Sequence, residues 1–303
     1  MKSRKITAWY RWVGCLLGLG LLWPIAGQAQ HQLILGPQSH QTLESGTHAG
    51  FQTFYQQRGR TECTEKHETT VVFNAGLRPV KSVPLSISLA LPVSYIWDAA
   101  QNFHDTIPDN PERSKTGVDD AILALNYRFD FESLQQKWGA TGNYALVTAG
   151  LELPTGNLDH APYDGPLDYI FGTQLGLEWR MLSANLYGFY RLTTDSDDGA
   201  VSDNVLAGVR FGYTPWENLG SQRSISIHVG FGYEQNLDDD FIEGFDSPEA
   251  GWSMMVHPMI VAGLDANLRL TLMGSIPVAK SFEHDNMVDR FRVNLGLLYL
   301  FGS

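Results

Sequence analysis

Positive charge, cysteine and long apolar runs are all scarce in this chain of 303 residues. Lys and Arg number 21 against 33 Asp and Glu, and such an acidic surface is a poor partner for nucleic acid. After residue 29 there is no run of about 18 apolar residues, which excludes a bundle of membrane-spanning helices. The 30 glycines and the 12% of aromatic residues favour one large all-β domain of closely spaced strands.

The N-terminus has the three parts of a secretory signal peptide. Basic residues between Lys2 and Arg11 precede an apolar stretch over 13–26, and small residues follow at Gly27 and Ala29. We expect cleavage near Ala29, so that residues 1–29 are the signal peptide. Removal of its 4 basic residues from the total of 21 leaves 17 Lys and Arg against 33 Asp and Glu, a net charge of −16. The mature chain keeps one cysteine, Cys63, which excludes an intrachain disulfide.

The final stretch of the chain, residues 290–301, alternates between two kinds of residue. Because side chains two apart in a strand share a face, one face is continuously apolar: Phe291, Val293, Leu295, Leu297, Tyr299 and Phe301. The other face begins with polar or small residues: Arg290, Arg292, Asn294 and Gly296. The pattern predicts a strand with one face toward lipid and one toward a lumen. An edge strand of a soluble β-sandwich is the alternative.

The same stretch resembles the C-terminal signal by which bacterial outer-membrane barrels are recognised for insertion. The resemblance rests on a polar residue, a glycine and two aromatics at the spacing of that signal: Asn294, Gly296, Tyr299 and Phe301. It implies insertion into the outer membrane of a Gram-negative bacterium by the barrel-assembly machinery.

Alternating segments predict an all-β fold, a transmembrane antiparallel up-and-down β-barrel of about 12 strands. On the third strand, apolar residues from Val83 to Trp97 alternate with small ones from Pro84 to Ser94, which we expect to leave room in the lumen. The barrel domain covers residues 48–303 and follows an N-terminal extension over residues 30–47. The predicted strands are 48–57, 67–78, 83–97, 118–131, 140–153, 169–180, 183–194, 203–214, 224–236, 252–263, 266–278 and 289–301.

Short connections alternate with longer polar ones along the chain. Tight links follow the second, sixth and tenth predicted strands, and the links after the fourth and eighth are of intermediate length. The longer stretches include residues 98–117, 154–168, 195–202, 237–251 and 279–288. Because these barrels have short turns on the periplasmic side, the alternation predicts that both termini are periplasmic.

Charged residues on the predicted inward faces are the candidates for lining a pore: Arg128, Glu152, Glu178, Arg180, Arg191, Arg210, Glu234, Arg269 and Arg292. Two interpretations are open. The residues form a charge ladder that steers solutes, or they form salt bridges that fill a narrow barrel. Since burial of a charge without a partner is costly, mutual pairing is expected in both cases.

The tenth predicted strand carries Met255, His257 and Met259 on one face. Thioether and imidazole groups suit copper, so these residues are weak candidates for a metal site. Methionine-rich patches more often provide adaptable apolar contacts. We therefore predict no metal site and no cofactor.

Loops carry His and Asp side by side at 104–105, 159–160 and 284–285. An Asp and a His that meet above the rim could activate water, as in outer-membrane proteases of the omptin kind. Neighbouring residues of an extended chain point to opposite sides, however, and the Ser-Asn-Gly that a barrel phospholipase would need does not occur. We predict solvated loops and no enzymatic activity.

Two motifs resemble one family of outer-membrane proteins. Residues 116–129 are similar to a Gly-x-(Gly/Asp)-Asp turn that leads into a strand closing on Tyr-Arg, and residues 150–157 are similar to the Leu-Pro-Thr-Gly strand end one hairpin later. The family is named after the meta-pathway of phenol degradation, and its proposed role is the transport of small hydrophobic compounds. Both motifs consist of turn residues, so they describe the barrel mouth and not a reaction.

The predicted barrel and this resemblance imply an outer-membrane channel through which small hydrophobic or aromatic molecules diffuse along a narrow lumen. The expected partners are outer-membrane lipid, lipopolysaccharide, the barrel-assembly machinery and a small-molecule solute. The alternative is a non-conducting barrel that acts as a scaffold or surface-binding protein.

Overall fold

The computed structural model describes residues 47–58, 66–80, 82–98, 114–131, 142–156, 167–179, 181–194, 203–218, 220–237, 251–282 and 289–301. The expected signal peptide and all but the last residue of the expected extension lie outside these residues. The strands are β1 (His48–Arg58), β2 (Lys66–Leu77), β3 (Leu85–Asp98), β4 (Ser114–Val118), β5 (Ala121–Asp130), β6 (Gly142–Leu153), β7 (Asp168–Trp179), β8 (Leu182–Leu192), β9 (Asn204–Asn218), β10 (Arg223–Asn236), β11 (Gly251–Gly263), β12 (Leu268–Phe282) and β13 (Asp289–Leu300).

All pairings between strands are antiparallel, and together they form one closed barrel. β1 closes the ring by pairing with β13, so that His48 lies opposite Leu300. β4 and β5 both pair with β3, and the strands therefore occupy 12 positions. A closed ring pairs the backbone groups that lipid cannot hydrogen-bond. The prediction of an all-β antiparallel barrel of about 12 strands is confirmed, and the β-sandwich alternative is excluded.

The fourth predicted strand is divided into two strands by Asp119 and Asp120. Val118 pairs with Val93, and Ile122 pairs with Ala90, so one more residue lies between the pairs on the β4–β5 side than on the β3 side. Such an insertion is a β-bulge. The backbone N–H of Asp119 donates to the Pro92 carbonyl at 3.1 Å and holds the bulge against β3. The predicted strand over 118–131 is corrected accordingly: the strand begins at Ser114 and is interrupted.

The outward face of the barrel is apolar and accessible. Phe73, Phe171 and Phe211 are 53%, 49% and 52% exposed, and large apolar residues of the other outward faces are exposed as well. Continuous apolar surface of this extent indicates a lipid environment. On β13 the two predicted faces are confirmed, since Leu295 is exposed and Asn294 is buried.

The connections divide into two groups on the two rims. On the rim where β1 begins and β13 ends they are residues 78–84, 131–141, 180–181, 219–222 and 264–267, and we call this the turn rim. On the opposite rim, called the loop rim, they are residues 59–65, 99–113, 154–167, 193–203, 237–250 and 283–288. The link after the eighth predicted strand is therefore short, because β9 continues to Asn218. Three loop-rim connections, residues 59–65, 193–203 and 283–288, are no longer than the longest turn-rim connection, residues 131–141.

No helix in the described part of the chain is long and apolar enough to cross a membrane.

Candidate functional site: the barrel lumen

Apolar side chains line the lumen along eight consecutive strand positions. They form one contact cluster, here called the apolar arc: Phe54, Val72, Ala90, Ile122, Tyr144, Leu146, Ile170, Tyr187, Phe189 and Leu206. Phe54, Leu146 and Ile170 are 1%, 1% and 0% exposed. In a wide aqueous channel water would reach these inward side chains, so the lumen beside them is packed. The room expected beside the small residues of β3 is therefore occupied, and Ala90 and Ser94 are buried.

Glycines on the lumen side are covered by rings from neighbouring strands. A Cβ added to Gly172 would collide with the Phe189 ring, and one added to Gly176 would collide with the Tyr144 ring. The same holds for the remaining pairs of ring over glycine: Tyr187 over Gly208, His48 over Gly76, His228 over Gly212 and His257 over Gly232. Glycine at these positions lets a ring lie flat against the wall. The absence of side chains at these glycines thus leaves space inside the barrel, and the rings occupy part of that space.

A group of buried polar side chains lies on the lumen wall between the middle of β9 and β13, and it is here called the polar arc. Its buried members are Arg210, Glu234, His257, Ser275, Arg292 and Asn294, each at most 5% exposed. His257 Nδ1 lies 2.8 Å from the Ser275 hydroxyl oxygen. The two arcs are not pure, since Met255, Met259 and Met273 are buried beside the polar arc. Likewise, Gln56, Asn126 and Gln174 are buried beside the apolar arc.

A bidentate ion pair crosses the polar arc. The guanidinium of Arg292 on β13 donates from its two terminal nitrogens to the two carboxylate oxygens of Glu234 on β10, at 2.9 and 3.1 Å. Both side chains are buried. The planar guanidinium thus forms two parallel hydrogen bonds with the carboxylate, and this bidentate geometry stabilises two charges that are removed from water.

A second group of charges lies where β6, β7 and β8 reach the loop rim. Arg191 Nε is 2.8 Å from a Glu152 carboxylate oxygen, and an Arg191 terminal nitrogen is 2.5 Å from an Asp168 oxygen. The second Asp168 oxygen accepts the Thr194 backbone N–H at 3.0 Å. The pairing ties the ends of three strands together inside the barrel mouth.

The two turn motifs contact each other at the same rim. One Asp120 carboxylate oxygen accepts the backbone N–H groups of Thr155 and Gly156 at 2.9 and 2.8 Å. In return, the Thr155 hydroxyl oxygen accepts the Ala121 backbone N–H at 2.9 Å. The strand break after β4 and the end of β6 are thus joined by reciprocal hydrogen bonds.

The structure places Arg128, Glu152, Glu178, Arg191, Arg210, Glu234, Arg269 and Arg292 on inward faces, whereas Arg180 lies outside the described residues. Arg128 pairs with Asp130 at 2.8 Å and its guanidinium lies 4.3 Å from the centre of the Tyr144 ring. Glu178 is exposed at the turn rim. The predicted candidates therefore do not form one ladder. They are spread over both rims and the polar arc.

The metal candidates lie together on β11, where Met255, His257 and Met259 are 2%, 3% and 3% exposed. Met259 packs with Val261 and Met273 as a small apolar cluster. Among the residues that the structure describes, no group of three or more His, Cys, Asp or Glu is arranged to hold a metal ion. The His-Asp pairs of the loops lie outside the described residues.

Sequence reasoning missed Asp168 and Tyr187 as lumen residues with a role, whereas Asp120 accepts backbone hydrogen bonds as expected of a turn residue. The prediction placed Asp168 in a loop, although the two-residue period counted back from Ile170 puts it on the inward face. Tyr187 shares its face with Arg191 in the same way. The two-residue period of β7 and β8 therefore already placed both side chains on the inward face.

No protein-family model matches the chain, and a search of curated proteins finds no relative. An outer-membrane channel from Pseudomonas putida F1 matches with a TM-score of 0.59 at 13% identity, over 84% of this chain and 96% of that one. The β domain of the Bordetella autotransporter BrkA matches with a TM-score of 0.50 at 11% identity, over 85% and 100%. Outer-membrane phospholipase A from Escherichia coli, at a TM-score of 0.41 and 11% identity over 83% and 92%, is too distant to bear on function. The first two matches show that the chain has the fold of an outer-membrane β-barrel.

Proposed function

We propose that this protein is an outer-membrane channel for small molecules with an apolar body, which cross through its narrow lumen. The apolar arc is the observation that carries the proposal. Apolar side chains inside a wide aqueous pore would be exposed to water at a free-energy cost, whereas they suit the passage of an apolar solute. The family resemblance of the two turn motifs supports a hydrophobic or aromatic solute.

The location and orientation are part of the same proposal. The protein lies in the outer membrane of a Gram-negative bacterium, where the apolar outward faces contact lipid and lipopolysaccharide. Both termini are periplasmic, and the loop rim faces outward. The C-terminal residues Asn294, Gly296, Tyr299 and Phe301 form the signal for the barrel-assembly machinery. Tyr299 and Phe301 are exposed on the outward face, and their ring centres are 5.0 Å apart.

A non-conducting scaffold is the second candidate, and the packed ion pairs of the lumen favour it. A purely structural filling would be expected to satisfy its polar atoms. Within the described part of the chain, however, buried atoms of Gln52, Asn143, Tyr187, His228 and His257 make no hydrogen bond. Such atoms are normally met by water or a ligand. They favour a lumen that admits small molecules.

Uptake by cells tests the proposal. The protein is expressed in a Gram-negative strain that lacks its general porins, and the initial uptake of radiolabelled toluate at low concentration is compared with that of a hexose. Membrane fractionation and a heat-modifiability gel show that the barrel is inserted and folded. A channel raises toluate uptake more than hexose uptake. If the folded protein raises neither, the scaffold candidate replaces the channel.

A further inference from the structure

Two glycines face each other at the junction of the apolar and polar arcs. Gly208 on β9 is directly opposite Gly232 on β10, and Gly230 is the next inward residue of β10. We call these three residues the glycine cradle. Side chains enter the space above it from the two neighbouring strands.

Tyr187 and His257 are these side chains. Tyr187 on β8 is the direct partner of Gly208, and a Cβ at Gly208 would collide with its hydroxyl oxygen. His257 on β11 is the direct partner of Gly230, and its ring extends over Gly232 so that Nε2 is 2.5 Å from where a Cβ would lie. Since the Cβ positions of directly opposite residues are about 5 Å apart, the two polar atoms approach one small region from opposite sides.

Neither polar atom has a hydrogen-bond partner in the part of the chain that the structure describes. Tyr187 Oη and His257 Nε2 are both buried. The Ser275 hydroxyl, 2.8 Å from His257 Nδ1, fixes the orientation of the imidazole. Two buried polar atoms that converge without partners indicate a position for a group that gives or accepts hydrogen bonds.

The surroundings of the cradle define the rest of the ligand. Leu206 precedes Gly208 on the inward face of β9, and Phe189 is its direct partner on β8. Both belong to the apolar arc and are 3% and 4% exposed. Glu234 is opposite Leu206 on β10, but its carboxylate is bound by Arg292. Because that charge is compensated, the cradle suits a neutral molecule. Arg210, opposite Gly230, borders the cradle toward the turn rim.

We propose that the glycine cradle is a binding site for a small neutral molecule with an apolar body and a single hydroxyl head group. The hydroxyl bridges Tyr187 Oη and His257 Nε2, and it suits either imidazole tautomer because it both donates and accepts. The apolar body lies against Leu206 and Phe189. This inference rests on the proposed function, because the molecule must enter the lumen from outside the barrel.

Phenol and toluene are the probes, because they have similar apolar bodies and only phenol has the hydroxyl. Their dissociation constants are measured by ligand-observed NMR on the folded protein, purified in detergent from membranes. Tyr187→Phe removes only the hydroxyl that lacks a partner, so the barrel retains its packing. Tyr233→Phe is the matched control, since Tyr233 lies on the outward face of β10, away from the lumen, and its hydroxyl donates to Gln235 Oε1 at 2.6 Å.

We expect Tyr187→Phe to weaken phenol binding about fivefold to tenfold, the effect of one hydrogen bond, and to leave toluene binding unchanged. Tyr233→Phe leaves both constants unchanged. Equal phenol affinity in the unaltered protein and in Tyr187→Phe overturns the site and shows that the two atoms hold ordered water only. If toluate uptake persists in that case, the proposed function stands without this site. If phenol binding depends on Tyr187 but the protein transports neither solute, the binding site is supported and the proposed channel function is rejected.

Discussion

Glu234 on β10 and Arg292 on β13 form a two-pronged ion pair over the inner faces of the two strands between them. The pair links β13 to β10 across β11 and β12. β13 also closes the barrel by pairing with β1. Both partners are buried, so neither charge is stabilised by bulk water. The pair therefore contributes to the closure of the barrel only as long as both residues are present.

Removal of one partner is expected to be more harmful than removal of both. Arg292→Met leaves the Glu234 carboxylate buried without its main partner, and we expect a loss of about 3–5 kcal/mol in the free energy of unfolding. The double variant Glu234→Gln with Arg292→Met should recover part of this loss. Urea unfolding in detergent or lipid provides the measurement. Arg128→Met is the control, because its ion pair with Asp130 is partly exposed and contributes about 0–1 kcal/mol. Equal losses in the single and double variants would contradict the pairing.

Asp120 is expected to hold the end of β6. Asp120→Ala leaves the Thr155 and Gly156 N–H groups without their acceptor and should lower the free energy of unfolding by roughly 1–3 kcal/mol. Asp120→Asn keeps a side-chain oxygen at the same place, so it should lose less than Asp120→Ala. Amide hydrogen exchange at 155 and 156 reports the same change locally. If the alanine and asparagine variants behaved identically, the hydrogen bonds would not be the cause.

The turn after β11 is expected to weaken in acid. Backbone N–H groups of Asn267 and Leu268 donate to Asp265, and they lower the pKa of this carboxyl below its ordinary value. As the pH falls through the ordinary value of about 3.9, the unfolded chain takes up the proton first. The contribution of Asp265 to folding is therefore present above that pH and is lost below it, down through the folded pKa. Asp265→Asn should show a smaller fall in stability between about pH 5 and pH 3 in urea titrations. The same slope in both proteins would argue against this role.

The apolar arc is expected to limit passage. Phe54→Ala removes a ring that is 1% exposed in the lumen and should raise the influx of small apolar solutes, at a cost of about 3–5 kcal/mol in stability. Phe73→Ala, on the outward face of β2 at 53% exposure, is the control and should leave influx unchanged. Influx is measured in proteoliposomes at a temperature where both variants remain folded on a heat-modifiability gel. A Phe54→Ala barrel that is folded but no more permeable would place the barrier elsewhere.

The strands were predictable because the two-residue period of the sequence is strong and nearly uninterrupted. On β3 and β13 each outward position is apolar and each inward one is small or polar over most of the strand, so one pattern determines both the element and its faces. The resemblance indicated a turn at Asp119 and Asp120, but the alternation did not predict β4 before it or the bulge between the two strands. A bulge changes the period by one residue, and the alternation beyond it continues to fit a single strand.

The lumen was less predictable than the wall. The alternation gives the face of Glu234 and of Arg292, but their pairing depends on how far two side chains reach over two strands, which the order of residues does not encode. The same is true of Tyr187 and His257. Each meets a glycine on a neighbouring strand, and that contact depends on the register between strands rather than on either strand alone.

The most direct measurement of the central claim is the ratio of two influx rates into proteoliposomes that contain only this protein. Toluate at neutral pH is compared with a hexose, because the ionised aromatic crosses lipid slowly and empty liposomes give the background. The account predicts that the protein increases toluate influx severalfold more than hexose influx. Equal acceleration of both solutes, or a large unselective conductance in single-channel recordings, would contradict a narrow lumen lined by apolar side chains.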